Sequence, residues 1–166
     1  MKISIFGLGY VGAVSMACLA RDGHEVTGVD VDPLKLELIR SGKSPIVEEG
    51  IQDLTREVVA SGRVKVTDDV AAAVRETELS FVCVGTPSSP NGSQDMSYIR
   101  RVMESIGAAL AKKAEFHTVV LRSTVQPGTL DELVRPPLEK ASGKVADEHF
   151  GLAFQPEFLR EGTSIK

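Results

Sequence analysis

The chain has 166 residues, of which 42% are hydrophobic and 25% are charged, a composition typical of one globular domain with a sizeable core. Its formal net charge of −4 argues against an electrostatic nucleic-acid surface and favours a small-molecule ligand. No apolar stretch approaches the length of a membrane span, and Lys2 is followed at once by a strand pattern, so we expect no membrane partner and no signal peptide. The cysteines, Cys18 and Cys83, fall within a helix pattern and a strand pattern, which predicts buried free thiols in a reducing cytoplasm.

The most informative pattern lies in the first thirty residues. An apolar run over residues 3–6 leads into glycines with the spacing G-x-G-x-x-G, namely Gly7, Gly9 and Gly12. Residues 10–21 then repeat apolar side chains at helical spacing, and a second run over residues 25–29 ends in Asp30. Strand, glycines, helix, strand and acid in this order predict a dinucleotide-binding unit.

Each residue type in this unit has a physical role. Gly7 allows the tight turn out of the strand, Gly9 lets the backbone approach a pyrophosphate, and Gly12 lets the helix pack closely against the strand. The start of the helix presents unpaired N–H groups and the positive end of its dipole, which favour a bound anion. Asp30 can accept hydrogen bonds from both hydroxyls of an adenine ribose and therefore predicts NAD as the cofactor.

The alternation of strand and helix continues beyond Asp30. Asp32 is a good N-cap and Pro33 suits the first turn of a helix over residues 34–40, where Lys35 lies either near the ribose or on a solvated face. The remaining predicted elements are a helix over 51–60, strand 63–67, helix 70–75, strand 79–84, helix 96–112, strand 117–121, helix 129–140 and strand 150–154. Pro136 and Pro137 should kink or interrupt the last helix.

This alternation predicts an α/β fold, a Rossmann-like doubly wound parallel sheet with helices on both faces. Right-handed crossovers give the strand order 3-2-1-4-5-6 and a crevice where the order reverses. Thr86 and Thr124 both follow predicted strands and should face that crevice, since open α/β sheets bind ligands at the carboxyl ends of strands. Asp95 is either a helix cap or a further ligand contact.

The three histidines do not suggest a metal site. His24, His117 and His149 are scattered along the chain, and no cluster with Cys or a carboxylate has metal-ligand spacing. We therefore expect no metal, and we expect each histidine to be either exposed or satisfied within the core.

Several segments, spread over nearly the whole chain, form a specific combination. They are G-L-G-Y-V-G at 7–12, D at 30, V-G-T-P at 84–87, S-T-V-x-P-G-T at 123–129 and P-E-F-L-R-E-G at 156–162. The combination resembles the UDP-glucose/GDP-mannose 6-dehydrogenase family, and residues 42–48 and 117–129 look most like its GDP-mannose branch. The resemblance implies oxidation of the C6 alcohol of GDP-mannose to GDP-mannuronate, with two NAD used in succession; UDP-glucose is the alternative substrate.

The resemblance also implies roles for individual residues. The expected cofactor contacts are Gly7, Gly9, Tyr10, Val11, Gly12, Asp30, Lys35, Thr86 and Thr124. Glu157 would be the acid–base or water-activating carboxylate, helped by Thr124. The sugar and cofactor crevice would be lined by Glu157, Phe158, Leu159 and Glu161. A purely structural alternative for Glu157 is an acid that stabilises a helix N-terminus after Pro156.

Two departures from the family pattern bear on activity. The family motif usually begins with Asn where this chain has Gln155. The family's nucleophilic cysteine, in a G-G-S-C segment, and its second Rossmann-like domain are not found in these residues, and neither Cys18 nor Cys83 matches that motif. We therefore expect residues 1–166 to be the N-terminal NAD-binding domain of a longer, homo-oligomeric enzyme, without its central helix or C-terminal domain, and inactive by itself.

Two other hypotheses remain open at this stage. A stand-alone NAD-sensing Rossmann module would explain residues 1–84 equally well but would give no purpose to residues 156–162. A β-hydroxyacid dehydrogenase domain shares the early glycines but is not expected to carry P-E-F-L-R-E-G.

Overall fold

Strands and helices alternate along the chain in a computed structural model that describes residues 1–88 and 94–165. The strands are β1 (Lys2–Phe6), β2 (Glu25–Val29), β3 (Val64–Thr67), β4 (Leu79–Val82), β5 (Thr118–Leu121) and β6 (Gly151–Phe154). The helices are α1 (Tyr10–Arg21), α2 (Pro33–Arg40), α3 (Ile51–Ala60), α4 (Val70–Glu76), α5 (Ser97–Leu110) and α6 (Arg135–Ser142), with a π-helical turn at Leu130–Val134.

The strands form one six-stranded sheet in the order β3-β2-β1-β4-β5-β6, and every pairing is parallel. The order reverses at β1, whose Ile3 is in register with Val26 of β2 on one side and Leu79 of β4 on the other. Because β1 pairs with both halves of the sheet, the loops that follow β1 and β4 diverge and leave a crevice at the carboxyl ends. The predicted α/β fold and strand order are confirmed.

Helix starts follow the capping chemistry of the sequence. The Asp32 side chain accepts from the Leu34 N–H at 2.9 Å, and Asp69 accepts from the Ala72 N–H at 2.9 Å. Asp95 Oδ1 accepts from the Ser97 N–H at 2.9 Å, and these hydrogen bonds with Ser97 lower the pKa of Asp95. The structure therefore gives Asp95 a place at the start of α5, as the capping alternative predicts.

The segment predicted as a single helix over residues 129–140 is divided by its prolines. The π-helical turn ends at Val134, and α6 begins at Arg135 with Pro136 and Pro137 in its first turn. Proline is tolerated there because the first N–H groups of a helix have no intrahelical acceptor. Helical residues follow one another without a gap from Leu130 to Ser142, so the prolines coincide with a change from π-helix to α-helix and not with an end of the helix.

Each face of the sheet carries its own hydrophobic core. One, which we call the α1 core, packs α1, α2 and α3 against β1, β2 and β3, through Ile5, Leu8, Met16 and Ile39 among others. The other, the α5 core, packs α4, α5 and α6 on the opposite face, with Met103, Ile106, Leu121 and Phe150 fully buried. The two cores fix the sheet from both sides, so the ends of the strands are rigidly placed.

The strand predicted over residues 79–84 ends earlier, at Val82. The chain leaves the ladder at Cys83, and residues 83–87 are irregular where they pass the crevice. A membrane-spanning helix is found nowhere in the described part of the chain.

Candidate functional site

The glycine loop after β1 has a backbone that side chains would disrupt. Gly7 has φ +90°, and its N–H donates to the Val29 carbonyl at 2.8 Å, which ties the loop to the end of β2. A Cβ added at Gly12 would lie 1.8 Å from the Gly7 carbonyl oxygen, a distance no real Cβ adopts. The first turn of α1 is thus pressed directly onto the loop, which only a glycine at this position allows.

Gly9 differs from Gly7 and Gly12 because the space beside it is open. It is the N-cap residue of α1, has φ −76°, and provides no side-chain hydrogen bond to the helix. A Cβ added there would meet no heavy atom within 4 Å. The open space therefore lies against the positive end of the α1 dipole, where N–H groups lack a side-chain cap and an anion such as a pyrophosphate is stabilised.

Asp30 is buried beside this loop and already serves a structural purpose. Its Oδ2 accepts from the Leu8 N–H at 2.7 Å and from Lys35 Nζ at 3.2 Å, and its Oδ1 accepts from the Asp32 N–H at 3.0 Å. A carboxylate has about four acceptor positions, so one position on Oδ1 is available for a ribose hydroxyl. The structure adds a role that the sequence did not predict: Asp30 holds the glycine loop at the end of β2.

Two adjoining cavities meet at Asp30. One, of about 410 Å³ and lined by both polar and apolar groups, runs past Gly9, Lys35 and Gly85. An apolar one of about 230 Å³ lies between the ends of β1, β2 and the start of α5, lined by Phe6, Val29, Val70, Val84, Tyr98 and Val102, with Arg101 at its margin. An apolar cavity beside a groove that carries Asp30 and Lys35 suits the base of a dinucleotide and its adjoining ribose.

Tyr98 and Arg101, on α5, are site residues that the sequence prediction missed. Tyr98 lines both cavities, and Arg101 lines the apolar one. Together with Val102 they recur at helical spacing in the first turns of the helix that follows the β4 loop. That spacing was the available signal, but nothing in the sequence shows that this side of α5 faces the crevice.

Hydrogen bonds join the loops that follow β4 and β5. The Thr86 hydroxyl donates to the Thr124 carbonyl at 3.2 Å, and the Ser123 hydroxyl donates to the Val84 carbonyl at 2.6 Å. The Thr124 side chain is exposed at this edge. These bonds join the two loops beside Gly85, although neither Thr86 nor Thr124 lines the two cavities that meet at Asp30.

The segment after β6 crosses the carboxyl edge of the sheet. Glu157 is partly buried and accepts a hydrogen bond from the Leu159 N–H. Burial raises the pKa of the nearby Cys83 thiol, and the charge of Glu157 adds to this effect. No helix begins after Pro156 in the described chain, so the proposed helix-stabilising role of Glu157 finds no support. Leu159 packs on the α1 core, whereas Phe158 is 87% exposed and Glu161 is exposed. Together with the partly buried Glu157, the predicted substrate residues therefore do not line one common surface.

Tyr10 makes contacts that the sequence did not predict. Its hydroxyl donates to Glu48 Oε2 at 2.7 Å and lies 2.8 Å from the Ser164 hydroxyl. Burial, followed by the hydrogen bond to Glu48, raises the pKa of Tyr10. Because the Tyr10 hydroxyl donates to Glu48, the predicted cofactor contact of Tyr10 would have to be made by its backbone and ring.

The cysteines have the properties of structural thiols. Burial raises the pKa of Cys83 to about 12, with Arg122 opposing and Glu157 adding to the effect. Burial likewise raises the pKa of Cys18. Both thiols are protonated at neutral pH, which is the opposite of what an activated nucleophile requires.

The histidine next to β5 is satisfied within the core. His117 is fully buried, with Nε2 2.7 Å from the Ser80 hydroxyl and Nδ1 3.0 Å from the Thr77 carbonyl. Burial lowers its pKa to about 4, so it is neutral at pH 7. Among the described residues, no group of three or more His, Cys, Asp or Glu side chains could hold a metal ion.

A parallel sheet with its order reversed at β1, a glycine loop under an open helix N-terminus, and a buried acid at the end of β2 define a dinucleotide-binding Rossmann domain. The family model described as "UDP-glucose/GDP-mannose dehydrogenase family, NAD binding domain" matches residues 1–166, and the chain belongs to this family. The predicted family and the predicted cofactor, NAD, are thereby confirmed.

The most similar proteins include GDP-mannose dehydrogenases. The chain is 55% identical to the GDP-mannose 6-dehydrogenase of Azotobacter vinelandii and 39% identical to a UDP-glucose 6-dehydrogenase of Haloferax volcanii. It superposes with a TM-score of 0.98 and 53% identity on a GDP-mannose dehydrogenase from Pseudomonas aeruginosa, solved as a ternary complex. The chain is covered at 99 to 100% in these comparisons but spans only 38% of each relative's length.

Proposed function

We propose that this chain is the NAD-binding domain of a nucleotide-sugar 6-dehydrogenase that oxidises the C6 alcohol of GDP-mannose to GDP-mannuronate. The observation that carries the proposal is the open N-terminal end of α1 at Gly9, beside the buried Asp30, with the Glu157 carboxylate close to Cys83 in the lining of the same cavity. GDP-mannose is preferred to UDP-glucose because identity to the GDP-mannose enzyme is higher, 55% against 39%.

The residues present fit a dinucleotide. The pyrophosphate would lie over Gly7, Gly9 and the first N–H groups of α1 at Tyr10, Val11 and Gly12. The adenine ribose would use the remaining acceptor position of Asp30, beside Lys35, and the adenine would occupy the apolar cavity under Tyr98 and Val102. The other half of the cofactor would extend toward Thr86 and Thr124 at the ends of β4 and β5.

Glu157 supplies the candidate catalytic carboxylate. When bound, NAD supplies the acceptor for the hydride that leaves the sugar C6 carbon. Glu157, assisted by the Thr124 hydroxyl, would take the alcohol proton or activate a water, while Leu159 holds the segment onto the α1 core and Phe158 and Glu161 remain available at the surface. A general base needs a position within hydrogen-bond reach of the substrate proton. Glu157 is partly buried and lies near Cys83, which lines the crevice, and this proximity supports the assignment.

Full oxidation to the acid requires a group that these residues do not provide. The family chemistry passes through a covalent thiol adduct, and the two thiols of this chain are partly buried and protonated. We infer that residues 1–166 act as the N-terminal domain of a longer, homo-oligomeric protein and are inactive alone; the 38% coverage of the relatives supports the greater length.

Ligand titration tests the proposal. Calorimetry on the 166-residue chain should show NAD binding that disappears in Gly9→Val, and a weak interaction of the NAD-loaded chain with GDP-mannose that exceeds that with UDP-glucose. A stand-alone NAD sensor would bind NAD and ignore both sugar nucleotides. Sustained NADH absorbance from chain, NAD and GDP-mannose would contradict the proposal that the domain is inactive alone.

A further inference from the structure

Glu48 lies in the loop between α2 and α3 and receives hydrogen bonds from two distant parts of the chain. Its Oε2 accepts from the Tyr10 hydroxyl at 2.7 Å and from the Gly162 N–H at 2.6 Å, and its Oε1 accepts from the Ser164 N–H at 2.9 Å. Tyr10 directly follows Gly9 in the first turn of α1. One carboxylate thus joins the open end of α1 to the chain that follows Glu161.

The hydrogen bonds require the acceptor to be a carboxylate. All three partners are donors, and an ionised carboxylate is an acceptor at both oxygens, so the bonds are charge-assisted. A glutamine of the same shape has a donor NH₂ on one side and would oppose either the Ser164 N–H or the pair formed by Tyr10 and Gly162. The two acceptor oxygens of the carboxylate therefore match these three donors.

The connection extends from Ser164 into the candidate catalytic segment. The Ser164 hydroxyl lies 2.8 Å from the Tyr10 hydroxyl and donates to the Arg160 carbonyl at 2.7 Å. Arg160 belongs to the P-E-F-L-R-E-G motif, three residues after Glu157. Leu159 and Ile165 pack on the α1 core beside Tyr10, so the polar contacts and the apolar contacts hold the segment to the same place.

We propose that Glu48 is a positioning residue of the dehydrogenase site, which ties the pyrophosphate-binding turn of α1 to residues 157–165 and so holds Glu157 at the crevice. This inference rests on the proposed function, since it assigns α1 to the cofactor and Glu157 to the substrate. NAD seated at the first turn of α1 fixes Tyr10, and through Glu48 the same event orders residues 157–165. Glu48 itself is not assigned a contact with the cofactor or the sugar.

Amide hydrogen exchange of the 166-residue chain, with and without NAD, tests the inference. In the unsubstituted chain NAD should slow exchange over residues 157–165 by about tenfold. In Glu48→Gln, NAD should still bind within about threefold of the normal affinity, but the NAD-dependent slowing should fall below about twofold. Glu57→Gln, the same change on the exposed face of α3, is the matched control and should behave as the unsubstituted chain.

The comparison with and without NAD separates positioning from simple structural support, because a merely structural role would change exchange equally in both states. Full NAD-dependent slowing in Glu48→Gln would overturn the inference. A chain that fails to bind NAD, or binds it despite Gly9→Val, would instead overturn the proposed function. Should Glu48→Gln not fold, Tyr10→Phe removes one of the three donors and should reduce the NAD-dependent slowing by about half; an unchanged effect in that variant also overturns the inference.

A spectroscopic measurement checks the Tyr10–Glu48 bond independently. The chain has two tyrosines and no tryptophan, so in a Tyr98→Phe background the ultraviolet absorbance of phenolate reports Tyr10 alone. Burial raises the pKa of Tyr10 and the hydrogen bond to Glu48 raises it further, so Glu48→Gln should lower the pKa of Tyr10 in this background. An unchanged titration would show that the bond is not formed in solution and would overturn the inference.

Discussion

At the amino end of the sheet, buried polar side chains are hydrogen-bonded to one another. At the carboxyl end, in contrast, some hydrogen-bond donors have no protein acceptor. Ser4, Ser80 and His117 form a chain with contacts of 2.7 Å, closed by the Thr77 carbonyl. Nearby, buried Lys113 donates to the carbonyls of residues 74, 75 and 77.

The carboxyl end has the opposite character. The first turn of α1 has no side-chain cap, and the space beside Gly9 is empty of protein atoms. Among the described residues, the one buried side-chain nitrogen or oxygen without a hydrogen-bond partner is Arg122 Nε, directly after β5. At the amino end of the sheet the buried polar groups are thus hydrogen-bonded to one another, whereas at the carboxyl end some donors have no protein acceptor. Saturation stabilises the fold, and unused donors are available to a ligand.

Gly12→Ala is expected to have the largest effect, because it forces α1 away from the glycine loop at the carboxyl end of β1. The new Cβ would fall 1.8 Å from the Gly7 carbonyl oxygen, so α1 must move away from β1. We expect a loss of about 4 kcal/mol in the free energy of unfolding, at the upper end for one substitution. Urea denaturation measures it. A loss below about 1 kcal/mol would mean that the helix does not pack on the loop as described.

The buried histidine at the amino end should make stability depend on pH. Its pKa is about 4 in the folded chain against an ordinary 6.5, so below pH 6.5 the unfolded chain binds more protons. The stabilisation is fully present above pH 6.5 and is lost progressively as the pH falls toward 4. Between pH 6.5 and pH 5 we expect a loss of about 2 kcal/mol.

Denaturation curves across that interval measure the effect. His117→Gln should remove this part of the slope, while His149→Gln, a change at an exposed histidine, should keep it. Identical slopes in all three proteins would show that His117 is not held neutral by the amino-end network.

Gly9→Val should separate ligand binding from folding at the carboxyl end. The position has an ordinary φ of −76° and no neighbouring atom within 4 Å of an added Cβ, so stability should change by no more than about 1 kcal/mol. The side chain would occupy the proposed pyrophosphate space, so NAD affinity should fall at least about 100-fold, or about 2.7 kcal/mol. Calorimetry and thermal shift measure both quantities. Thermal stabilisation by NAD in a folded Gly9→Val protein would place the cofactor elsewhere.

Cofactor choice is expected to give the smallest effect, because charges at the crevice partly cancel. A 2′-phosphate about 4 Å from Asp30 would be repelled by roughly 4 kcal/mol per charge pair at an effective dielectric of about 20. Lys35, 3.2 Å from the same carboxylate and one-third exposed, offsets part of this. We expect NAD to bind about tenfold more tightly than NADP, or about 1.4 kcal/mol. Equal affinities by calorimetry would contradict a ribose contact at Asp30.

The sequence alone was sufficient for the order of elements and for the cofactor. Glycine spacing, capping residues such as Asp32 and Asp69, and prolines 136 and 137 act within a few residues of their own position. Their effects on the backbone are local, so they can be recognised without knowing the fold. The strand order followed from them because crossover connections have one hand.

What the sequence could not decide concerns contacts between distant residues. Glu48 meets Gly162 and Ser164 across more than a hundred residues, Tyr98 reaches the crevice from α5, and Asp30 takes a second role under Leu8. Each of these contacts depends on which face of a helix or loop lies against the ends of the strands. Sequence periodicity assigns a residue to a face but does not identify the residue that packs against it. Only the packing of α1, α5 and the segment after β6 around one sheet edge brought these side chains together.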